Sequence, residues 1–198
     1  MICTHLKAAD PGWLPRLAAR VWLETVGRGR FTATFGGRVV LVPVPGSAPA
    51  QGARWVGERL AWCLKEVGLA VEVCPALRRR HAVRKSAFAP AGERPSVLEH
   101  YASFAVEPVF CSRSTVGTGA VARGHRVERF RLTLVDDVIT RGRTLLAAAL
   151  RLREAFPAAE IRAFALLRTL GRDEALRQVL DPCEGEVRWN CGDARRHP

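Results

Sequence analysis

The sequence contains no apolar run that approaches the roughly 20 residues needed to cross a bilayer. Its first residues, MICTHLKAADPGWL, lack a basic stretch followed by an apolar segment, so we expect no secretory signal, no membrane partner and a cytoplasmic location. Internal repeats and low-complexity tracts are also missing. With 48% hydrophobic and 25% charged residues, the composition is that of a globular protein. A length of 198 residues fits a single domain, 1–198, better than two.

Close cysteine pairs are absent as well. The cysteines are scattered and form no CxxC pair, which argues against a zinc ribbon because its ligands come in close pairs. We expect ordinary reduced thiols, since a cytosolic chain rarely keeps disulfides. The six cysteines are Cys3, Cys63, Cys74, Cys111, Cys183 and Cys191.

Lysine is scarce, and the known nucleotide-binding loops are missing. Lys7, Lys65 and Lys85 are the three lysines, so 28 of the 31 basic residues are arginine, and the net charge is +12. A basic field attracts polyanions, whether nucleic acid or a small ligand with several phosphates. The sequence has neither GxxxxGK(S/T) nor GxGxxG after a strand, which excludes P-loop and Rossmann dinucleotide sites. It also lacks helix-turn-helix and RNA-recognition signatures, so nucleic acid is the less favoured partner.

The first periodic pattern is helical. The spacing i, i+4, i+7, i+11 predicts a helix over residues 11–27, with one face formed by Leu14, Ala18, Val21 and Thr25. The glycine-bounded segment 28–38 predicts a short strand or hairpin. We expect the tryptophans of the helical segments to lie in the core, namely Trp13, Trp22, Trp55 and Trp62.

A strand–helix–strand unit comes next. The apolar run VVLVPVP, 39–45, predicts a strand covered on both faces. Helical spacing of Val56, Leu60, Cys63 and Val67 predicts a helix that Gly68 ends. The run AVEVC, 70–74, predicts the next strand.

The same order recurs later in the chain. RLTLVD, 131–136, predicts a strand, 137–142 a loop, and Leu145, Ala149, Leu152 and Phe156 mark a helix that Pro157 ends. IRAFALL, 161–167, predicts another strand. Two such units predict an α/β fold with a parallel sheet, in which ligands bind beyond the carboxyl ends of the strands.

The middle of the chain is less regular. ALRRRHAVRKSAFAPAGERPSV, 76–97, has no helix or strand period and much positive charge, so we interpret it as a mobile functional loop. VLEHYASFAV predicts a short helix running into a strand, and 172–180 predicts a short helix in a polar tail. We expect His81 and His100 to have surface or structural roles.

The stretch LTLVDDVITRGRT, 132–144, carries the chemistry. Asp136 and Asp137 end an apolar strand, where they can bind hydroxyl groups or Mg²⁺, and strand geometry would turn them to opposite sides. The helix start after them offers free N–H groups that attract a phosphate, with hydroxyl donors from Thr140 and Thr144. The residues alone leave open a solvated turn before a Thr-capped helix.

This stretch resembles the signature of type I phosphoribosyltransferases. VVLVPVPGSAPAQGARWVGERLAWCL and the basic run at 78–85 are similar to the ComF subgroup, although the N-terminal zinc module of that subgroup is missing. The resemblance covers residues 38–168. It implies a three-layer, mostly parallel twisted sheet with helices on both faces, and a small hood from 1–37 and 171–198. Homodimers are common in the family, which leaves a homodimer open here.

The resemblance implies transfer of 5-phosphoribosyl from 5-phosphoribosyl-1-pyrophosphate (PRPP), with Mg²⁺, to a small-molecule acceptor, with release of pyrophosphate. Asp136 and Asp137 would bind the ribose hydroxyls and, directly or through water, Mg²⁺. Further PRPP contacts would come from Val138, Thr140, Arg141, Gly142, Arg143 and Thr144. Pyrophosphate would contact Gly46, Ser47, Arg78, Arg79 and Arg84, and the catalytic set would be Asp136, Asp137, Arg80 and Lys85. The alternative is a non-enzymatic PRPP-binding or nucleic-acid-associated protein of DNA uptake or regulation.

Overall fold

The computed structural model describes residues 12–49, 54–84, 94–107, 131–169 and 181–197. Its helices are α1 (Trp13–Trp22), continued by a π-helical turn (Leu23–Gly27), α2 (Thr32–Phe35), α3 (Val56–Glu66), α4 (Val97–Ser103) and α5 (Arg143–Ala155). Its strands are β1 (Val39–Pro43), β2 (Glu72–Val73), β3 (Leu77–Arg79), β4 (Phe104–Val106), β5 (Arg131–Ile139), β6 (Glu160–Arg168), β7 (Glu186–Asn190) and β8 (Asp193–His197).

A four-stranded parallel sheet forms the centre, in the order β2-β1-β5-β6. All five residues of β1 are buried, because this strand has a neighbour on each side and helices over both faces. The predicted α/β class and parallel sheet are therefore confirmed. Within the described residues, no helix combines the length and apolar character that crossing a membrane requires.

Helices cover both faces of this sheet. Alternate residues of β1 and β5 separate into two clusters: Val40 and Leu132 pack with α4 and α5, whereas Val39 and Val135 pack with α1 and α3. The alternation results from the two-residue period of a strand. The molecule therefore has three layers, with the apolar interior split by the sheet.

The N-terminal segment forms the predicted helix but not the predicted strand after it. Leu14, Ala18, Val21 and Thr25 are buried, as their spacing predicts. The prediction of a strand or hairpin at 28–38 is wrong. The chain there forms the short helix α2, whose Thr34 carbonyl accepts a hydrogen bond from Thr133 Oγ1 at 2.8 Å.

Strand β5 is longer than predicted. The sequence indicated a loop from Asp137, but the strand continues to Ile139 because β6 pairs with it to the end, with Val138 opposite Leu167 and Ile139 opposite Arg168. The two aspartates therefore lie within the strand, before its loop begins. The buried face of α3 also differs, and consists of Gly57, Leu60, Ala61 and Leu64.

The basic segment is partly ordered into a sheet, contrary to the interpretation as a loop without strand period. Strand β3 pairs antiparallel with β4, with Arg78 opposite Ala105 and Arg79 opposite Phe104. Alternation along β3 buries Arg79 and exposes Arg78. The strand therefore gives neighbouring arginines opposite environments.

Two further expectations need correction. Trp13 and Trp22 are exposed by 38% and 39%, because they lie on the outer sides of α1, whereas Trp55 and Trp62 are half-buried. Cys74 is disulfide-bonded, so the prediction of reduced thiols throughout is wrong, while Cys63, Cys183 and Cys191 are free. The predicted helix at 172–180 lies outside the described residues.

Candidate functional site

The carboxyl ends of β1 and β5 lie side by side. The first residue after β1, Val44, donates its N–H to the Val135 carbonyl at 2.9 Å, directly before the aspartate pair. Trp55, before α3, donates its Nε1–H to the Val44 carbonyl at 2.8 Å. The loop after β1 and the acidic end of β5 therefore meet at one edge of the sheet, where ligands bind in parallel α/β sheets.

A pocket opens where β5 leads into α5. The chain turns at Gly142, which has φ 85°, and α5 begins at Arg143. The first N–H groups of a helix have no intrahelical partner, and the helix dipole adds positive potential there. The lining residues are Arg94, Asp136, Val138, Ile139, Thr140, Arg141, Gly142, Arg143, Thr144 and Leu145. The pocket can therefore receive an anion beside a carboxyl group.

The pKa of Asp136 depends on its neighbour Asp137. Burial, the negative charge of Asp137 and a hydrogen bond between the two carboxyl groups raise the pKa of Asp136 well above its usual range. The Asp137 N–H, which donates to Asp136 Oδ1 at 2.9 Å, and the charge of Arg79 act in the opposite direction. The Asp136 carboxyl group is therefore more easily protonated than an ordinary aspartate, and a bound cation would lower its pKa.

Arg79 links the loop after β1 to the helix layer. Its Nε–H donates to the Gly46 carbonyl at 2.8 Å, and its Nη1 contacts the hydroxyl of Ser103. Nη2 lies 3.1 Å from His100 Nδ1, and the guanidinium lies 3.8 Å from the centre of the Phe104 ring. Burial lowers the pKa of Arg79 to about 10, with Asp136 opposing that shift. The guanidinium therefore stays charged at pH 7 and holds the Gly46 backbone in place.

His100 continues the connection to the turn before α5. Its Nε2 lies 3.4 Å from Thr144 Oγ1, in the first turn of α5. Burial and the charge of Arg79 lower the pKa of His100 to about 4, so the imidazole is neutral at pH 7. The residue is 3% exposed. The predicted structural role of His100 agrees with this buried position between Arg79 and Thr144.

The structure brings only some of the predicted site residues together. Asp136, Val138 and residues 140–144 line one pocket, whereas Gly46 and Ser47 lie at the neighbouring strand end. The Ser47 carbonyl accepts the N–H of Val83 at 2.7 Å, which places the basic segment beside that strand end.

The predicted basic residues take different positions. Arg78 is exposed and pairs with Glu107 at 2.7 Å, Arg79 is buried, and Arg80 and Arg84 are exposed. Lys85 lies outside the described residues.

Sequence reasoning missed Arg94, Val187 and Asp193. Arg94 lines the pocket, and the other two belong to a hairpin of β7 and β8 that packs on the loop. The glycine in WNCGDA is the sequence signal for this hairpin, because two-residue hairpin turns favour glycine. In the structure, the two turn residues Cys191 and Gly192 both have positive φ, 47° and 83°. No sequence pattern indicates that this hairpin contacts Gly142 and Arg143.

Replacing Gly142 with alanine is expected to destabilise the protein by about 2–4 kcal/mol, because left-handed geometry and overpacking both oppose it. The added Cβ would lie 2.7 Å from both methyl groups of Val187. Gly68→Ala is the matched control: its φ is 86°, and nothing lies within 4 Å of the added atom. Urea denaturation compares the two variants, and Gly142→Ala combined with Val187→Ala should recover the excess loss. Equal losses for Gly68→Ala and Gly142→Ala would contradict the packing argument.

Comparison with protein-family models gives no match for this chain. Comparison with curated proteins also gives no significant match.

Proposed function

We propose that the chain binds PRPP and transfers its 5-phosphoribosyl group to a small-molecule acceptor. The observation that carries the proposal is one pocket lined both by the carboxyl group of Asp136 and by the turn 140–144 at the start of α5. A phosphorylated sugar needs both chemistries at once, an anion site and hydrogen-bond acceptors for hydroxyl groups. The resemblance of residues 132–144 to the type I phosphoribosyltransferase signature supports the same ligand.

Each end of the ligand has a matching part of the site. The 5-phosphate would lie at the N-terminus of α5, against backbone N–H groups and the hydroxyls of Thr140 and Thr144. Asp136 and Asp137 would accept hydrogen bonds from the ribose hydroxyls. Pyrophosphate would extend toward Gly46 and Ser47, whose backbone is fixed by Arg79 and Val83.

In the reaction, the bond between the sugar C1 and pyrophosphate breaks, and pyrophosphate leaves with the electron pair. A lone pair of the acceptor then forms the new bond to C1. Positive charge develops on the sugar meanwhile, so a carboxylate at Asp136 or Asp137 stabilises it. Arg80, Arg84 and Lys85 are the proposed cations for the leaving group, since Arg80 and Arg84 are exposed and the segment lies beside Ser47.

The donor set suits Mg²⁺ only when the ligand contributes oxygens. The described residues contain no group of three or more His, Cys, Asp or Glu side chains arranged for a metal ion. Two adjacent carboxyl groups fit a cation that arrives with phosphate oxygens, as Mg²⁺ commonly does. Asp136 and Asp137 would hold it, and it would neutralise charge on the pyrophosphate when bound.

Calorimetric titration with PRPP and Mg²⁺ tests the proposal. We expect binding by the parent protein and loss of binding by Asp136→Asn/Asp137→Asn. Pyrophosphate release is then measured across a panel of purine and pyrimidine bases. Absence of binding to the parent protein would remove the proposed function.

The second candidate is a PRPP-binding or nucleic-acid-associated protein without transferase activity. One observation favours it: Arg188 and Arg195 lie directly opposite each other on β7 and β8, and both are exposed. Two exposed arginines side by side can contact the phosphates of a polyanion. Binding without pyrophosphate release, or salt-dependent DNA binding that survives Asp136→Asn/Asp137→Asn, would favour this candidate.

A further inference from the structure

The hairpin of β7 and β8 packs directly on the turn that begins α5. Val187 fills the space that a side chain at position 142 would need, and Gly142 is buried as a result. Ala194, on the neighbouring strand, is 3% exposed and belongs to the core between the sheet and α5. The hairpin therefore supports the turn that lines the pocket, and it is held there by packing as well as by charge.

Arg143 uses most of its hydrogen-bonding capacity within the protein. Its Nε and Nη2 donate to the two carboxylate oxygens of Asp193, the second at 2.5 Å. Its Nη1 donates to the carbonyls of Arg94 and Pro95, each at 3.1 Å. A guanidinium has five N–H donors, so four of the five are used within the protein. The side chain is 16% exposed, and it joins α5, the hairpin and the approach to α4.

Arg141, two residues earlier, has the opposite character. Its side chain is 54% exposed, and its Nη1 lies 3.4 Å from Asp193 Oδ2. That distance is at the long end for a hydrogen bond. Because Arg141 lines the same pocket, its guanidinium can turn toward an anion without breaking a close contact.

We propose that Asp193 is a positioning residue for the phosphate-binding turn. It holds Arg143 in a structural ion pair and leaves Arg141 as the arginine that contacts the 5-phosphate. The proposal rests on the proposed function, because it takes this turn as the phosphate site. It assigns different roles to Arg141 and Arg143, for which the sequence analysis predicts the same role. It also makes the hairpin of β7 and β8 a required part of the site.

The test uses ribose 5-phosphate and inorganic phosphate as probes, with calorimetry for affinity and thermal unfolding for stability. For Arg141→Met we expect affinity to fall by at least about 10-fold, the loss of one charged hydrogen bond, with Tm unchanged. For Arg143→Met and Asp193→Asn we expect Tm to fall by about 5 °C and affinity to fall with it. The variant that combines Arg143→Met with Asp193→Asn should lose no more Tm than either single variant, since both substitutions remove the same ion pair. Asp193→Glu should restore part of the affinity.

The sign of the Asp193→Asn effect decides the role of this carboxylate. Tighter phosphate binding with unchanged Tm would mean that Asp193 merely competes with the ligand, and would overturn the proposal. Loss of affinity in Arg143→Met at constant Tm would also overturn it, because Arg143 would then contact phosphate directly. If the parent protein binds neither probe, the phosphate site and the proposed function fail together. The Tm values of the single and double variants then still show whether Arg143 and Asp193 form a stabilising ion pair.

Discussion

Asp136→Asn is expected to raise the free energy of unfolding at pH 7 while weakening PRPP binding in the same protein. The pKa of Asp136 is raised by burial and by the neighbouring Asp137, with Arg79 compensating in part. The folded protein therefore bears a cost at neutral pH that the unfolded chain, with a freely ionised carboxylate, does not. A neutral amide of the same shape removes that cost, which amounts to about 1.4 kcal/mol for each unit of pKa difference.

The pH dependence has a defined sign. Because the folded pKa is raised, the folded protein binds more protons than the unfolded chain between about pH 4 and the folded pKa. Stability contributed by this group is therefore full below about pH 4 and is lost as pH rises through the folded pKa. Asp136→Asn should match the parent protein near pH 4 and exceed it at pH 8. Urea denaturation at a series of pH values measures the difference.

Binding should change in the opposite direction. Loss of a charged acceptor for the ribose hydroxyls is expected to weaken PRPP binding by at least about 10-fold. The exposed Asp181 supplies the control, since Asp181→Asn should change neither quantity. A residue whose removal raises stability and lowers affinity is kept for function rather than for folding. If Asp136→Asn instead lowers stability at pH 8, the carboxylate is a structural partner of Arg79 and the functional interpretation is wrong.

The sequence predicted the central layers because their signals are local. The apolar run at 39–45 predicts a strand buried on both faces, and residues 39–43 of it form β1 inside the sheet. The stop at Gly68 was equally clear, and this residue has φ 86° after α3. Patterns of this kind depend on the residue's own neighbours in the chain, so tertiary contacts did not change them.

The errors arose where a distant partner decides the structure. The sequence predicts a loop from Asp137, yet β6 extends far enough to keep the strand paired beyond it. The sequence predicts a loop for Arg78, Arg79 and Arg80 together, and only the pairing of β3 with β4 turns Arg79 inward. The link between Asp193 and Arg143 spans 50 positions, and no local pattern predicts such a pair. The candidate pocket was predictable, whereas the residues that support it were not.

Arg79→Met is expected to destabilise the protein by about 3–5 kcal/mol, because it removes one partner from a buried, charged network. Methionine replaces the apolar stem but leaves the Gly46 carbonyl and the Ser103 hydroxyl without their donor. It also removes the positive charge that limits the pKa rise of Asp136, so that pKa should increase further. Urea denaturation gives the free energy of unfolding, and Arg79→Lys serves as a second variant that retains the charge.

Arg78→Met is the matched control on the same strand. Its guanidinium is exposed and pairs with Glu107, and exposed pairs contribute about 1 kcal/mol or less. The two substitutions therefore make the same chemical change one residue apart, with burial as the difference. Apolar groups of similar volume can replace buried ionic groups without loss when the remaining partners are still satisfied. If Arg79→Met destabilises the protein less than Arg78→Met does, the buried guanidinium can be replaced by an apolar group without loss of stability. Arg79 would then not be the residue that fixes the Gly46 backbone beside the aspartate pair.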